Sequence, residues 1–265
     1  MSYINIENND IYFMEIVDET VVINNDYHGL LIFDRNLKQS YKMNFSEELT
    51  IYSSFKNKKQ LLLFCPDNNC IIHVDLISRT IRKVLLNDFE DYIFSPLYMW
   101  EQSKVILSEH NRPLLNVDLK KGTVESINSY DKIDRELKEE YEKIKNYQIL
   151  KMYGDEKKAI AVEGNSTVKL IDYRQNIKEL KEFPKEQYFD FEWKNEYIVK
   201  IGDSKIQLIY ENHSEIFNAE KDYDFLRGKI MCDHNKCFLF VLSVLKSDVK
   251  KCRIDRIELN IFSCW

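Results

Sequence analysis

Leu61-Leu-Leu-Phe-Cys65, Pro66-Asp-Asn-Asn69 and Cys70-Ile-Ile-His-Val-Asp75 carry the pattern from which the architecture follows. An unbroken apolar run stops at a turn of Pro, Asp and Asn. A second apolar segment then returns and closes on an acid. Each run is too short for a helix of ordinary length, and the turn between them is rich in residues that tolerate tight dihedrals. The stretch therefore predicts two buried antiparallel strands joined by a hairpin.

The same sentence is repeated along the chain. Apolar segments ending in an acid occur at Leu31-Ile-Phe-Asp34, Ile72-His-Val-Asp75, Leu115-Asn-Val-Asp118, Leu170-Ile-Asp172, Leu208-Ile-Tyr-Glu211 and Cys252-Arg-Ile-Asp255. The acids are spaced by 41, 43, 54, 39 and 44 residues. Seven positions before the acid stands a turn residue, Asn68, Asn111, Asn165, Ser204 or Asp248, and Asn24-Asn25-Asp26 does this in the first repeat. An apolar run precedes each turn, as at Val21-Val-Ile23 and Phe238-Leu-Phe-Val241. A half-alternating segment follows each acid, as at Thr80-Ile-Arg-Lys-Val84.

Each repeat thus reads as a four-stranded meander, a-b-c-d. Strand b is apolar on both faces and belongs inside. Strand d alternates and belongs at the water-exposed edge. The acid caps the c–d hairpin. Four strands in about forty residues is the pattern of a β-propeller blade. The expected fold is all-β: a six-bladed propeller of four-stranded antiparallel meanders in a single domain over 1–265. Its blades fall near 9–45, 46–87, 94–128, 147–182, 187–218 and 224–264. Either Tyr3-Ile-Asn-Ile6 or the segment 258–262 supplies the outer strand of the last blade. The longest spacing holds an insertion, 131–147. There Ile133, Leu137, Tyr141, Ile144 and Tyr147 form one apolar stripe, which predicts an inserted helix.

In this pattern the chain resembles the WD-repeat and YVTN-like propeller class. It lacks the Gly-His and Trp-Asp marks of WD repeats, and it has only six glycines. The resemblance implies an architecture and no particular activity.

Function classes can then be narrowed. With 38 basic and 44 acidic residues the net charge is −6. A nucleic-acid binder needs a basic excess or stripe, so none is expected as partner. No apolar run approaches the roughly 20 residues of a membrane helix, and the N-terminus has no signal-like core, so a cytoplasmic, bacterial-type protein without membrane attachment is expected. The six cysteines, 65, 70, 232, 237, 252 and 264, are expected to be reduced there, with no disulfide framework. Cys65/Cys70 and Cys232/Cys237 share one spacing, with His234 near the second pair. Meander parity sets the two pairs on opposite faces, so a shared zinc is not expected. No two glycines lie within three positions of each other, which removes the phosphate-cradling motifs. No cofactor is expected. The five histidines are scattered, and no catalytic constellation is legible.

Parity also puts the b–c turns, the d–a connectors and the inserted helix on one face. Three connectors there mix acids with aromatics: Asp88, Phe89, Glu90 and Tyr92; Tyr188; and Asp222, Tyr223, Asp224 and Phe225. Such composition suits protein recognition. The expected function is a non-catalytic interaction module, monomeric, with a basic protein as partner: a scaffold, or a neutralising partner of a basic protein such as a toxin. The alternative is a propeller hydrolase or lyase using carboxylates and histidine in a central depression. It turns on the innermost strands. Tyr12, Met14, Ile51, Met99, Ile149 and Phe191 are expected to fill that depression with mostly apolar side chains.

Overall fold

The computed structural model describes residues 2–57, 59–86, 100–101, 104–107, 114–127, 139, 147–153, 158–163, 167–172, 178–184, 188–211, 213–233 and 236–259. The protein is all-β, a propeller-like arrangement of small antiparallel four-stranded sheets. Six such sheets are present among the described residues. The arrangement counts as five blades, however, and not the expected six. The sheet that departs furthest from a full meander is the one over 100–127, whose first strand is only Trp100–Glu101. The expected helix over 131–147 lies outside the described residues but for Glu139 and Tyr147. No helix longer than the single 3-10 turn Pro66–Asn68 is among the described elements.

The chain divides into two compact units. Unit 1 joins Met1–Leu49 to Gln187–Trp265. Its first sheet is the meander β2 (Met14–Val17), β3 (Thr20–Asn24), β4 (Gly29–Asp34) and β5 (Gln39–Asn44). Its second is β18 (Asp190–Lys194), β19 (Tyr197–Ile201), β20 (Lys205–Tyr210) and β21 (His213–Asn218). The third is ordered β22 (Tyr223–Asp233), β23 (Lys236–Leu245), β24 (Asp248–Leu259) and β1 (Ser2–Glu7). Unit 2 spans Thr50–Glu186. It holds β6–β9 over 53–85, including β7 (Gln60–Cys65) and β8 (Cys70–Asp75), then β10–β13 over 100–127 and β14–β17 over 148–184.

Burial follows the repeat. β7 and β19 are buried along nearly their whole length, while β5 and β21 are mostly exposed. Leu61, Leu62, Leu63 and Phe64 are all essentially inaccessible to water. Each such side chain contributes about 1.5–3 kcal/mol of gross transfer free energy. Within unit 1, Val21, Ile23, Phe240, Leu242 and Ile254 meet in one core cluster, and Val199, Ile201, Leu239 and Val241 in a second.

Three of the repeated acids cap their c–d hairpins through side-chain hydrogen bonds. Asp34 Oδ1 accepts from the amides of Asn36 and Lys38. Asp75 Oδ1 accepts from Ile77 and Ser78, and Asp118 Oδ1 from Lys120 and Lys121. Asp172 ends β16 (Thr167–Asp172) as expected. Glu211 stands one residue past β20, in a left-handed conformation with φ 49°. Asp255 departs from the rule. It lies inside β24, opposite Tyr3, and takes the guanidinium of Arg253 at 2.9 Å. The reason is topological: the fourth strand of this sheet comes from the other end of the chain, so no turn follows Asp255. Of the two strands proposed for that edge, Tyr3–Ile6 is the one used, and Glu258 belongs to β24 itself.

The cysteines correct one expectation. Cys232 and Cys237 face each other across the β22–β23 register and are joined by a disulfide of 2.08 Å. Cys65, Cys70 and Cys252 are buried thiols. The spacing alone does not distinguish the two Cys-x4-Cys pairs, because each sets its members opposite one another in a hairpin. Chain entropy assigns roughly 2 kcal/mol to a bridge that closes so short a loop.

Asn24 shows how the first turn residue works. It is fully buried, and its Oδ1 accepts from the amides of Tyr12 and Phe13 at 3.0 and 2.9 Å. Its Nδ2 donates to the carbonyls of Asp10 and Asp26. One amide thereby fastens the connector before β2 to the turn after β3. Asn24→Ala leaves four buried or half-buried backbone groups without this partner, so it should lower the unfolding free energy by about 2–4 kcal/mol in urea titration. Asn24→Asp, which cannot donate, should recover only part of the loss.

Candidate functional site

The connector face of unit 1 is built as meander parity predicts. The β21–β22 connector lies between two b–c turns. Ala219 N donates to Ser204 O and Phe225 N to Asp203 O on one side, while Lys246 N donates to Asp222 O on the other. The β1–β2 connector is held likewise, with Asn9 N donating to Lys250 O. Backbone bonds of this kind fix a loop in place without using its side chains. Asp203, Glu220 and Asp222 are left exposed on a rigid frame.

The expected site residues divide by environment. Asp88, Phe89, Glu90 and Tyr92 lie outside the described residues. Asp222 is exposed, and Asp224 is half-buried with Lys246 Nζ at 3.3 Å. Tyr223 is half-buried beneath Arg253, whose guanidinium carbon is 4.9 Å from the ring centre. Arg253 also reaches Glu220 at 2.7 Å and lies 5.8 Å from the ring of Tyr3. Phe225 is 6% exposed and belongs to the core cluster with Val199, Ile201 and Leu239, so its side chain anchors the connector from below. Tyr188 donates its hydroxyl to Gln207 and lies under the ammonium groups of Lys200 and Lys205, 4.7 and 5.3 Å from its ring centre.

Sequence reasoning missed a second acid-aromatic group on this face. Tyr12 and Tyr27 have ring centres 5.7 Å apart, and the Tyr27 hydroxyl donates to Asp10 Oδ2 at 3.2 Å. The negative charge of Asp10, then that hydrogen bond, raise the Tyr27 pKa above the ordinary phenol value. The available signal was the composition of Asn8-Asn-Asp-Ile-Tyr12, a d–a connector made like the other three.

The innermost strands carry a buried charged group beside the apolar residues expected there. Met14 and Phe191 are buried. Met14 packs into the core cluster with Ile16, Val21 and Ile23 of its own sheet and with Met231 of the neighbouring inner strand β22. Side chains alternate along a strand, so the residues one step further on face the other way. Those residues are Glu15 of β2 and Glu192 of β18, and they meet Lys229 of β22. Lys229 Nζ lies 2.8 Å from Glu15 Oε2 and 2.9 Å from Glu192 Oε2, and all three residues are buried. Burial pushes the Lys229 pKa down. The Glu15 and Glu192 carboxylates, with Asp190 farther off, more than reverse this and hold it above the ordinary lysine range. The group is therefore a permanent cation. A general acid or base needs a pKa near the working pH, which this lysine does not have.

No family model matches the chain, and no curated protein matches it. Among solved structures, a member of the DUF4221 family from Bacteroides vulgatus is similar, with 12% identity, 98% of this chain and 96% of that chain covered, and a TM-score of 0.56. The likeness is one of fold alone. A complex of KlAtg21 with the coiled-coil of AgAtg16 also matches, at 10% identity over 90% of this chain and 82% of that one, with a TM-score of 0.45.

Lys229→Met would leave two buried carboxylates facing each other without their cation. Removing one member of a buried ion pair costs about 3–5 kcal/mol, and that loss is expected at pH 7 in chemical denaturation. In the variant, mutual repulsion and burial raise the folded-state pKa of the carboxylates above the unfolded value. Stability should therefore recover as pH falls through that raised value and be lost again as pH rises. The combination Lys229→Met, Glu15→Gln and Glu192→Gln should be much less destabilised than the single change at neutral pH.

Proposed function

We propose that this chain is a non-catalytic protein-interaction module that receives a basic protein on the connector face of unit 1. The role is that of a scaffold, or of a neutralising partner of a basic protein such as a toxin. The observation that carries this reading is the β21–β22 connector, tied by backbone hydrogen bonds to the turns on both sides while Asp203, Glu220 and Asp222 stay exposed. Carboxylates on a preorganised frame need not be ordered on binding, and they speed encounter with a positive surface. Tyr223 and Tyr188 add half-exposed aromatic area on the same face, with Asp224 at the rim and Phe225 as the anchor beneath, and Tyr12 and Tyr27 add more beside Asp10. Asp88, Phe89, Glu90 and Tyr92 bring the same composition to a connector of unit 2 and form a second contact set to be tested separately.

The hydrolase or lyase reading gains no support from the inner strands of unit 1. The two carboxylates that meet there are both already engaged by the ammonium of Lys229. Nor is any helix among the described residues long and apolar enough to cross a membrane.

The test is affinity capture from the native source with wild-type protein and with two variants, Asp203→Asn/Asp222→Asn and Asp88→Asn/Glu90→Gln. A basic partner should be retained by the wild type at low salt and released as salt rises past the screening range. The first variant should bind it at least about tenfold more weakly, with a flatter salt dependence, equivalent to some 1.4 kcal/mol. Equal capture by wild type and both variants would refute the assignment of the face. Turnover of a small molecule by either variant would refute the assignment of class.

A further inference from the structure

One cysteine spacing occurs twice in this chain, in two different chemical states. Cys65 and Cys70 end β7 and begin β8, directly opposite each other, and both are buried free thiols. The hydrogen bond between them, then burial, push the Cys65 pKa far above the usual thiol range. Cys232 and Cys237 occupy the same relative positions in the β22–β23 hairpin and are bridged. Cys237 is 4% exposed and packs in the core, whereas Cys232 is only half-buried at the cluster's margin.

The hairpin does not depend on this bridge. Its strands pair along ten residue positions, from Tyr223↔Leu245 to Asp233↔Lys236. Its tip is held twice more: Asp233 takes Arg35 at 2.9 Å, and Lys236 takes Glu258 at 2.6 Å. A cross-link between residues already adjacent in a ladder closes a short loop and so lies at the low end of what disulfides contribute. A structural staple would be placed elsewhere. What the position does provide is one shielded sulfur and one more accessible sulfur, at the tip of an element that stays folded when the bond opens.

We propose that Cys232–Cys237 is a thiol–disulfide exchange site, cycling between bridge and dithiol by reaction with a dithiol reductant, with Cys232 as the sulfur attacked. A thiolate of the reductant attacks Cys232 Sγ and forms a mixed disulfide. The Cys232–Cys237 bond breaks, and Cys237 Sγ leaves as a thiolate and takes a proton. The second thiol of the reductant then attacks the mixed disulfide and releases Cys232 as a thiolate. Two electrons pass from reductant to protein, and the reductant leaves as its own disulfide. The reverse steps restore the bridge from an oxidised partner of the same class. Cys65 and Cys70 are excluded from this chemistry by burial and by a thiol too weakly acidic to form the nucleophile. In a reducing compartment the bridges that form are usually transient and catalytic or redox-sensing, the behaviour such a site would show.

The experiment uses the full chain carrying Cys264→Ser, so that the remaining thiols are the five described here, and dithiothreitol as the reductant. Under native conditions the oxidised protein should show three free thiols and the treated protein five, counted after alkylation in urea. Brief exposure to glutathione should trap its adduct on Cys232 and not on Cys237, read by peptide mass mapping. Native alkylation after reduction should modify Cys232 at least about tenfold faster than Cys65, Cys70 or Cys252, because no global opening is required. The variant Cys232→Ser/Cys237→Ser should stay folded with a cooperative urea transition, its midpoint lowered no further than closure of so short a loop predicts, and it should lose the two added thiols. The proposal is overturned if the bridge resists dithiothreitol until urea unfolds the chain. It is equally overturned if all the thiols label together, if the adduct forms on Cys237, or if the air-oxidised protein has five free thiols.

Discussion

Lys229 reaches from β22 to a carboxylate on each side, Glu15 on β2 and Glu192 on β18, and these are the first strands of their sheets. Three four-stranded sheets pack through their faces by non-directional apolar contact, which fixes spacing better than it fixes angle. A buried ammonium with two acceptors at hydrogen-bond distance adds direction. It accepts only arrangements in which all three inner strands stand at one level, since a shift of one residue would leave at least one charge without its counterpart. Apolar side chains of similar volume could fill the same space with equal or greater stability, so the group is better understood as a register device than as a source of net stability.

The sequence reading succeeded where the physical signal is periodic and local. The uniformly apolar run at 61–64 and the alternating one at 80–84 can only be an inner and an outer strand, and burial bears this out. The acids of the repeat were legible because capping a hairpin is a job done within a few residues, as at Asp34, Asp75 and Asp118. Long-range pairing was less legible. Glu15, Glu192 and Lys229 are isolated charges far apart in the chain, and nothing in their neighbourhoods announces that they meet. The apolar residues beside them drew attention to the other face of each strand, because period two assigns faces only relative to one another. Cys232 and Cys237 were misread for a related reason. Their spacing was noticed, but chemical state depends on how two side chains lean across a ladder, and Cys65 and Cys70 show the opposite outcome at the same spacing.

The connector face was legible in outline and not in detail. Parity alone placed the acidic connectors with the b–c turns, and the hydrogen bonds of Ala219, Phe225 and Lys246 agree. Parity could not say which aromatics are surface and which are anchors. Phe225 carries the more apolar ring and is the one drawn into the core. Tyr223 and Tyr188 keep a polar hydroxyl and lie higher, each under a cation. A fold of this kind hosts many unrelated functions, so side-chain environments on that face, rather than the likeness of backbone to a DUF4221 protein, bear on what the chain does.

The pairing of β1 with β24 couples the two extremes of the chain, Ser2 with Arg256 and Glu7 with Lys251. Proteins are synthesised from the N-terminus, so β1 is made before β24 and must wait for it. Ile4 and Ile6, which end packed against the core, spend the interval until β24 is made without their partner strand. The closing step must bridge the whole stretch between β1 and β24, the kind of contact that slows folding most. During that wait β1 is an unpaired strand open to other chains. Its apolar positions are separated by Asn5 and followed by Glu7, and they stop after two. The strand is therefore apolar enough to dock once β24 exists and too polar to make a lasting contact before then.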